Sequence, residues 1–169
     1  MQKQAPYSEA KAAQYPKGVF IVIAKDADGK CNPATVGSAM YASADPPMFA
    51  IALAPRHHTT AAIRHSGEFT LALPAEHQAE ETMLYGTKSG RDTDKFELAG
   101  ANTEPAAEID CVLLSDAAGN YECKLAGECT VGDHVVFSGE IVCSHIHEPP
   151  LRRLYLVGPG YEMGAVSRD

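Results

Sequence analysis

The chain has no apolar segment long enough to cross a membrane. Its longest uninterrupted apolar run covers only residues 19–24, whereas a membrane-spanning helix needs about 20 residues. The first 18 residues contain no apolar core of the kind found in secretory signals. These absences predict a cytoplasmic protein that has no membrane partner.

Basic residues are few, and acidic residues outnumber them. The 169 residues include 14 lysines and arginines against 22 aspartates and glutamates, so the formal net charge is −8. Nonspecific nucleic-acid binding needs a positive field, and we therefore expect no nucleic-acid partner. The hydrophobic fraction of 45% and the charged fraction of 21% are ordinary for a globular protein. Without repeats or a long linker, the sequence predicts one domain over residues 1–169.

Several motifs that carry chemistry in other proteins are missing. The five cysteines include no CxxC pair, and their odd number favours free or buried thiols over a disulfide framework. No GxSxG motif is present, so the sequence contains no signal for a nucleophilic hydrolase. Neither GxGxxG nor GxxxxGK[ST] occurs, which excludes the two standard nucleotide-binding loops.

One stretch resembles a metal-binding face. Cys143, His145 and His147 occupy alternate positions, and alternate side chains of a strand point to the same side. A closed zinc site also needs a fourth ligand at a turn-like spacing, and none is evident. We therefore predict no metal, and we interpret these residues as the end of a strand with histidines near the surface.

Strand patterns dominate the chain, and two predicted helices interrupt them. The helices cover residues 59–67, with threonine as a cap and Gly67 as the stop, and residues 74–86. The turn-rich segment 26–30 is typical of a hairpin connection. Many strands with short helices favour a mainly β, closed or partly closed barrel. The predicted strands are residues 19–24, a second strand ending near residue 43, and residues 48–53, 69–73, 109–114, 122–130, 135–145 and 153–157.

The start of the first helix is a candidate anion site. Arg56, His57, His58, Thr59 and Thr60 lie directly at this helix start, where free backbone N–H groups and the helix dipole favour negative charge. The alternative is an ordinary capped helix with a solvated basic turn.

Residues 34–44 form an uncharged segment of mostly small side chains. Small residues allow the backbone to approach a flat ligand, and Ser38 and Ser43 add hydroxyl groups. Pro46 and Pro47 then constrain the exit of the chain. A planar ring on residues 35–43, with a phosphate at residues 56–60, would be one continuous ligand. Flavin mononucleotide (FMN) has this shape.

Five segments in this order resemble the flavin reductase-like, FMN-binding split-barrel family, and most of all its flavoredoxin branch. The resemblance extends from about residue 18 to residue 164. The segments are 43-SADPP-47, 59-TTAAIRHSGEFTLALP-74, 89-SGRDTDKFELAG-100, 132-GDHVVFSGEIV-142 and 153-RLYLVGPGYEMG-164.

The resemblance implies a six-stranded Greek-key split β-barrel with short flanking helices. It also implies a homodimer with one FMN per subunit near the dimer interface. The residues expected along the ring and ribityl chain are Thr35, Val36, Gly37, Ser38, Tyr41, Ala42 and Ser43.

The resemblance also assigns one residue beside the flavin and a group of residues near the phosphate. His134 matches a histidine that lies near the nicotinamide side of the flavin in some members, the alternative being a residue of a tight turn between strands. The residues expected to hold the phosphate, or to lie near it, are His58, Thr59, Thr60, Lys88, Ser89, Arg91 and Lys95.

Two classes of function remain open from the sequence. The first is an FMN-dependent oxidoreductase, either a reductase that takes hydride from NAD(P)H or an electron carrier for a redox partner protein. The second is a non-enzymatic split-barrel protein that binds flavin, heme or another small ligand, because a fold does not determine a function.

Overall fold

The computed structural model describes residues 1–166. Its α-helices are α1 (Tyr7–Ala10), α2 (His58–Ser66), α3 (Ala79–Thr87) and α4 (Lys95–Ala99), and 3-10 turns cover Lys11–Gln14 and Glu76–Gln78. The strands are β1 (Lys17–Gly18), β2 (Phe20–Lys25), β3 (Cys31–Val36), β4 (Ala39–Ala44), β5 (Pro47–Leu53), β6 (Glu68–Leu73), β7 (Thr103–Pro105), β8 (Val112–Leu114), β9 (Gly119–Val131), β10 (His134–Ile146), β11 (Leu154–Leu156) and β12 (Met163–Ala165). Within this part of the chain, no helix has the length and apolar character that crossing a membrane requires.

The main sheet has seven antiparallel strands in the order β3-β2-β6-β9-β10-β5-β4. Its two edge strands are consecutive in the chain, because β3 continues into β4 through Gly37 and Ser38. The sheet therefore curls into a split barrel, which confirms the predicted fold class. It has seven strands where six were expected, because the uncharged segment divides at Gly37 and its halves pair with β2 and β5.

The long apolar run of β2 is explained by burial on both faces. Phe20 and Val22 contribute to the core inside the barrel. Ile21 and Ile23 instead pack with Tyr85 of α3 in a second cluster outside it. A strand covered on both sides needs apolar residues at every position, which is why its pattern does not alternate.

The hairpin and the first helix agree with the sequence, apart from the predicted cap. Residues 26–30 join β2 to β3, and Gly67 ends α2 with a φ of 71°, a left-handed conformation that glycine adopts without strain. The N-cap of α2 is His57, and no side chain caps it. The predicted threonine cap is therefore wrong, because Thr59 and Thr60 lie inside the helix.

Short elements account for the other differences from the predictions. The second helix begins as a 3-10 turn before α3, while α1 and α4 were not predicted because a periodic pattern cannot be recognised in four or five residues. Of the strand predicted over residues 109–114, only β8 forms. The backbone N–H of Ile109 donates to the Glu122 carboxylate, so this part of the backbone is held by a side chain.

Candidate functional site

A cleft of about 310 Å³ lies where β3, the start of α2 and the segment after α3 meet. Most of its polar lining is neutral or basic. The lining residues are Asn32, Ala34, Thr35, Arg56, His57, His58, Thr59, Tyr85, Gly86, Thr87, Lys88, Ser89, Gly90, Arg91 and Lys95.

Lys95 is a buried cation in the wall of this cleft. Its side chain is only 3% exposed, and its Nζ donates to the backbone oxygen of Tyr85 at 3.1 Å. Burial lowers the pKa of Lys95 to about 8. No carboxylate within residues 1–166 lies at salt-bridge distance from it. A buried charge is costly unless it is paired, so this position is suited to an anionic ligand.

Further positive charge surrounds the mouth of the cleft. Arg56, Lys88 and Arg91 are exposed there, and none of them forms a salt bridge within the described residues. The Arg91 guanidinium donates to the Arg56 carbonyl at 3.1 Å, which holds the two loops together. The pKa of His57 is lowered, mainly by desolvation and to a smaller extent by the nearby positive charges. The local field therefore favours an anion although the whole chain is acidic.

Thr59 and Thr60 have different environments. The Thr59 hydroxyl accepts from Asn32 Nδ2 at 2.9 Å, so its own proton can still be donated to a ligand. Thr60 is fully buried, and its hydroxyl donates to the Ala54 carbonyl at 2.8 Å. Its backbone N–H donates to the His57 carbonyl. Thr59 is thus available to an anion in the cleft, and Thr60 is not.

A carboxylate orients His58 in the cleft wall. His58 Nε2 lies 3.0 Å from Oδ2 of Asp26, and Asp26 also accepts the backbone N–H groups of Asp28 and Lys30. Burial would raise the pKa of Asp26, but these N–H groups and His58 outweigh it and the pKa is lowered. The hairpin turn therefore supplies an anchored carboxylate that holds the imidazole.

Gly90 permits the close contact that shapes one side of the cleft. A Cβ atom at this position would lie 1.8 Å from Oδ1 of Asn32 and 3.2 Å from the His58 ring. Any larger residue would displace Asn32, which positions the Thr59 hydroxyl. Asn32 and Gly90 were not predicted as site residues, because nothing in the sequence shows that they are in contact.

Most of the predicted ring segment lies beyond the cleft, at the bend of Gly37 and Ser38 and on the edge strand β4. Tyr41 is 57% exposed and packs edge-on against Phe49. Thr35 lines the cleft, but its hydroxyl donates to the Thr82 carbonyl of α3. The Val36 side chain belongs to the barrel core. The exposed residues of this segment are Gly37, Ser38, Met40, Tyr41 and Ala42, and Ser43 is half-buried.

His134 begins β10 and does not line the cleft. Its Nδ1 lies 2.7 Å from Oδ1 of Asp133, and this contact lowers the pKa of Asp133. The neighbouring Val135 pairs with Leu53, so His134 is close to the loop that precedes α2. It therefore adjoins the basic end of the cleft.

The structure adds Glu122 to the cysteine–histidine stretch. Ligand atoms of Glu122, Cys143 and His145 lie within 4.8 Å of one another, while His147 Nδ1 contacts the Pro149 carbonyl. Glu122 is fully buried. Its Oε1 lies 2.6 Å from Nε2 of His145, so the carboxylate and the imidazole already satisfy each other.

The structure brings half of the predicted cofactor residues together. Thr35, His58, Thr59, Lys88, Ser89, Arg91 and Lys95 all line the cleft. The other predicted residues lie on the neighbouring edge strand, at the Gly37 bend or, as for Thr60, in the interior.

The barrel, its basic cleft and its exposed uncharged edge define a small split-barrel protein. The family of the flavin reductase like domain matches residues 12–162. The chain belongs to this family, and it is a flavin-binding redox protein of mainly β structure.

Curated relatives cover most of the chain. The actinorhodin polyketide dimerase of Streptomyces coelicolor is 28% identical over 144 residues, which is 85% of this chain and 78% of the relative. A flavin reductase of Pseudomonas putida is 27% identical over 134 residues, covering 78% of this chain and 74% of the relative.

Solved structures share the fold over the whole chain. The flavoredoxin of Desulfovibrio vulgaris (Miyazaki F) has a TM-score of 0.87 at 24% identity and is covered to 95%. Nitrilotriacetate monooxygenase component B from Bacillus cereus has a TM-score of 0.89 at 16% identity and is covered to 97%. An FMN-binding protein from Thermus thermophilus has a TM-score of 0.84 at 21% identity and is covered to 96%.

Proposed function

We propose that the chain binds FMN and transfers electrons through it, with the phosphate in the basic cleft. The observation that carries this proposal is Lys95, a buried ammonium group with no carboxylate partner within residues 1–166. A phosphate dianion would supply the missing charge. The Thr59 hydroxyl would add a charge-assisted hydrogen bond, and Arg91 and Lys88 would add charge at the mouth.

The size of the cleft suggests how the ligand would be divided. Its volume of about 310 Å³ lies at the lower end of the range of about 300–1,000 Å³ that small-molecule pockets show. It would hold the phosphate and part of the ribityl chain. The isoalloxazine ring would then lie on the exposed segment from Gly37 to Ser43, which accounts for the lack of charge there.

The division of chemical work follows from these residues. A flavin supplies the hydride or electron transfer itself. The cleft residues bind the phosphate and so hold the ring at a constant position on β4. His134, at the basic end, is proposed as the residue that contacts a nicotinamide or another donor. A diffusible donor would have to stack on the ring, because the chain has no dinucleotide-binding loop.

Anaerobic reduction tests the redox function. The protein is purified, loaded with FMN and mixed with NADH or NADPH without oxygen, and the visible absorbance of the oxidised flavin is followed. If the protein is a reductase, one of the two nucleotides will reduce its flavin and bleach the absorbance. Bleaching only by a reduced redox protein would identify an electron carrier. Protein that binds FMN but is reduced by neither class of donor would instead be a non-enzymatic ligand-binding barrel, and failure to take up FMN would refute the proposal.

We also propose a homodimer that covers the ring segment, in the cytoplasm as predicted above. Met40 is 63% and Tyr41 57% exposed on the edge strand β4, and an uncharged, apolar edge strand is prone to pair with another chain. Closed two-fold pairs are the commonest assemblies, and a partner on β4 would complete the ring site.

Met40→Glu should therefore shift the protein toward the monomer. Two like charges brought together at a two-fold contact repel each other and lose apolar burial, so we expect the dimer to weaken by about tenfold or more. Light scattering at micromolar concentration would show a mass approaching 18.0 kDa. Leu98→Glu, which also places a charge at an exposed apolar position, is the control. A wild-type protein that is itself monomeric would contradict the proposal.

The two threonines provide a matched test of the phosphate position. Thr59→Val removes a hydroxyl that can reach the cleft, and one charge-assisted bond contributes about 1.5–3 kcal/mol. We expect FMN affinity to fall by about 1–2 orders of magnitude and riboflavin affinity to change little. Thr60→Val removes a hydroxyl that serves Ala54, so it should lower stability without changing the ratio of FMN to riboflavin affinity. If the ratio of FMN to riboflavin affinity were the same in wild type, Thr59→Val and Thr60→Val, the phosphate would bind elsewhere.

A further inference from the structure

Two cysteines that are far apart in the sequence are neighbours in the fold. Cys31 begins β3, and Cys111 lies immediately before β8. Their Sγ atoms are 3.9 Å apart, and both are free thiols. A disulfide has an S–S distance of about 2.05 Å, so the sulfurs need to approach by about 1.9 Å. Cys111 lies outside the strands, and the main backbone bond that its shift would have to accommodate is the one from the Ala106 N–H to the Cys111 carbonyl, beside the β7–β8 pair.

The two thiols differ in their access to solvent. Cys111 is 7% exposed, and its sulfur contacts the Ile23 carbonyl. Cys31 is half-buried and lines a second cleft, of about 200 Å³, together with Asp26, Lys30, Asn32 and residues 90–95. A small oxidant can therefore reach Cys31 first, while Cys111 lies behind it.

The surroundings of Cys31 favour its thiolate. The hydrogen bond between the two thiols has the largest effect, and the positive charge of Lys25 adds to it. Together they outweigh burial and the negative charge of Asp110, so that the pKa of Cys31 is lowered to about 7. Lys25 is itself held by Asp110, next to Cys111. The same proximity, together with burial, raises the pKa of Cys111. One sulfur of the pair is therefore suited to attack and the other remains protonated.

We propose that Cys31 is an oxidation site for hydrogen peroxide or small organic hydroperoxides, and that Cys111 resolves the product to a disulfide. The Cys31 thiol releases its proton, its thiolate attacks one peroxide oxygen, the O–O bond breaks, and the other oxygen takes up a proton and leaves as water or an alcohol. Cys31 is then a sulfenic acid. The Cys111 sulfur attacks the Cys31 sulfur while its proton passes to the departing hydroxyl group, so that the S–O bond breaks, the S–S bond forms, and water leaves. Each peroxide accepts two electrons, and two thiols become one disulfide.

Small-molecule thiols complete the cycle by exchange. Two such thiols reduce the Cys31–Cys111 disulfide and become one disulfide themselves. This inference does not rest on the proposed flavin chemistry, although the second cleft shares Asn32, Gly90, Arg91 and Lys95 with the proposed phosphate site.

The lowered pKa of Cys31 determines the expected direction of its reactivity. At neutral pH a larger fraction of Cys31 than of an unperturbed cysteine is thiolate, which is the form that attacks a peroxide. We therefore expect Cys31 to be oxidised by hydrogen peroxide before the other cysteines of the chain.

Differential alkylation of the full chain tests the site. Reduced protein is treated with a small excess of hydrogen peroxide, denatured and labelled with N-ethylmaleimide. We expect three adducts instead of the five that the cysteine count allows, and a peptide that links Cys31 to Cys111. Dithiothreitol should restore all five. Oxidation at the exposed Cys129 without any Cys31–Cys111 link would overturn the proposal.

Two variants separate the roles of the thiols. Cys111→Ser should retain sulfenic acid at Cys31, which a 1,3-dione probe captures, while wild type is captured far less because Cys111 resolves it. Cys129→Ser is the control and should form the Cys31–Cys111 link at the wild-type rate. If burial of serine at position 111 prevents folding, the linked peptide of the wild type decides the question alone. Equal dione labelling in wild type and Cys111→Ser would show that Cys111 does not resolve Cys31.

Discussion

Lys95→Met should lower FMN affinity by about 1.5–3.5 orders of magnitude and leave riboflavin affinity nearly unchanged. Removing one member of a buried, hydrogen-bonded charge pair costs about 2–5 kcal/mol, which corresponds to this loss of affinity. Riboflavin has no phosphate and so lacks the charge that Lys95 would pair with. Titration of both ligands by fluorescence measures the two affinities.

The same substitution should not destabilise the protein without ligand. In the absence of an anion Lys95 is a buried charge, and replacing such a charge by an apolar side chain of similar volume is often neutral or stabilising. A general folding defect would weaken FMN and riboflavin together. Lys124→Met, at an exposed position of β9, removes one charge without affecting the cleft and is the matched control.

The pH dependence of stability provides a second measurement for Lys95. Its folded pKa, about 8, lies below the ordinary value of 10.5. The unfolded chain therefore binds the proton more tightly between these values, and stability of the ligand-free protein rises with pH across this window. The full difference is about 3 kcal/mol. Lys95→Met should lack this rise, whereas an unchanged profile would show that Lys95 is not desolvated.

Glu122→Gln should destabilise the fold by about 2–4 kcal/mol at pH 7. The buried Glu122 carboxylate accepts the backbone N–H groups of Ala107, Glu108 and Ile109 and contacts His145. Glutamine keeps one acceptor oxygen but turns an NH₂ group toward donors, so buried groups remain unsatisfied. Urea denaturation measures the difference. Glu128→Gln, on the same strand and exposed beside Arg64, should cost no more than about 1 kcal/mol.

The change of stability in acid distinguishes the loss of these hydrogen bonds from a purely steric effect of the Glu122→Gln substitution. Burial alone would raise the pKa of Glu122, but the bonds from Ala107, Glu108 and His145 outweigh it, and the pKa is lowered. A carboxyl group with a lowered folded pKa contributes stability above its unfolded pKa, and this contribution is lost as the pH falls through the folded value. The gap between wild type and Glu122→Gln should therefore narrow in acid. A gap that is constant with pH would indicate a purely steric effect.

Local patterns were sufficient for most of the barrel. The apolar run of β2, the turn at residues 26–30 and the glycine that ends α2 each depend on neighbouring residues, so their structure can be inferred from a short window. The resemblance carried by residues 59–74 and 89–100 also predicted that His58, Thr59, Arg91 and Lys95 lie near one another, and the structure places these residues around one cleft.

Only the tertiary structure decided which groups are free to act. Thr59 and Thr60 are adjacent and chemically identical, yet one lines the cleft and the other serves the Ala54 carbonyl. Glu122 lies in a strand pattern that does not reveal its burial, because its partners are about 14 residues away. Contacts between distant segments, such as Asn32 with Gly90 and Cys31 with Cys111, depend on how the sheet closes. A side chain's chemistry is local, but its desolvation and its partners are set by segments that only folding brings together.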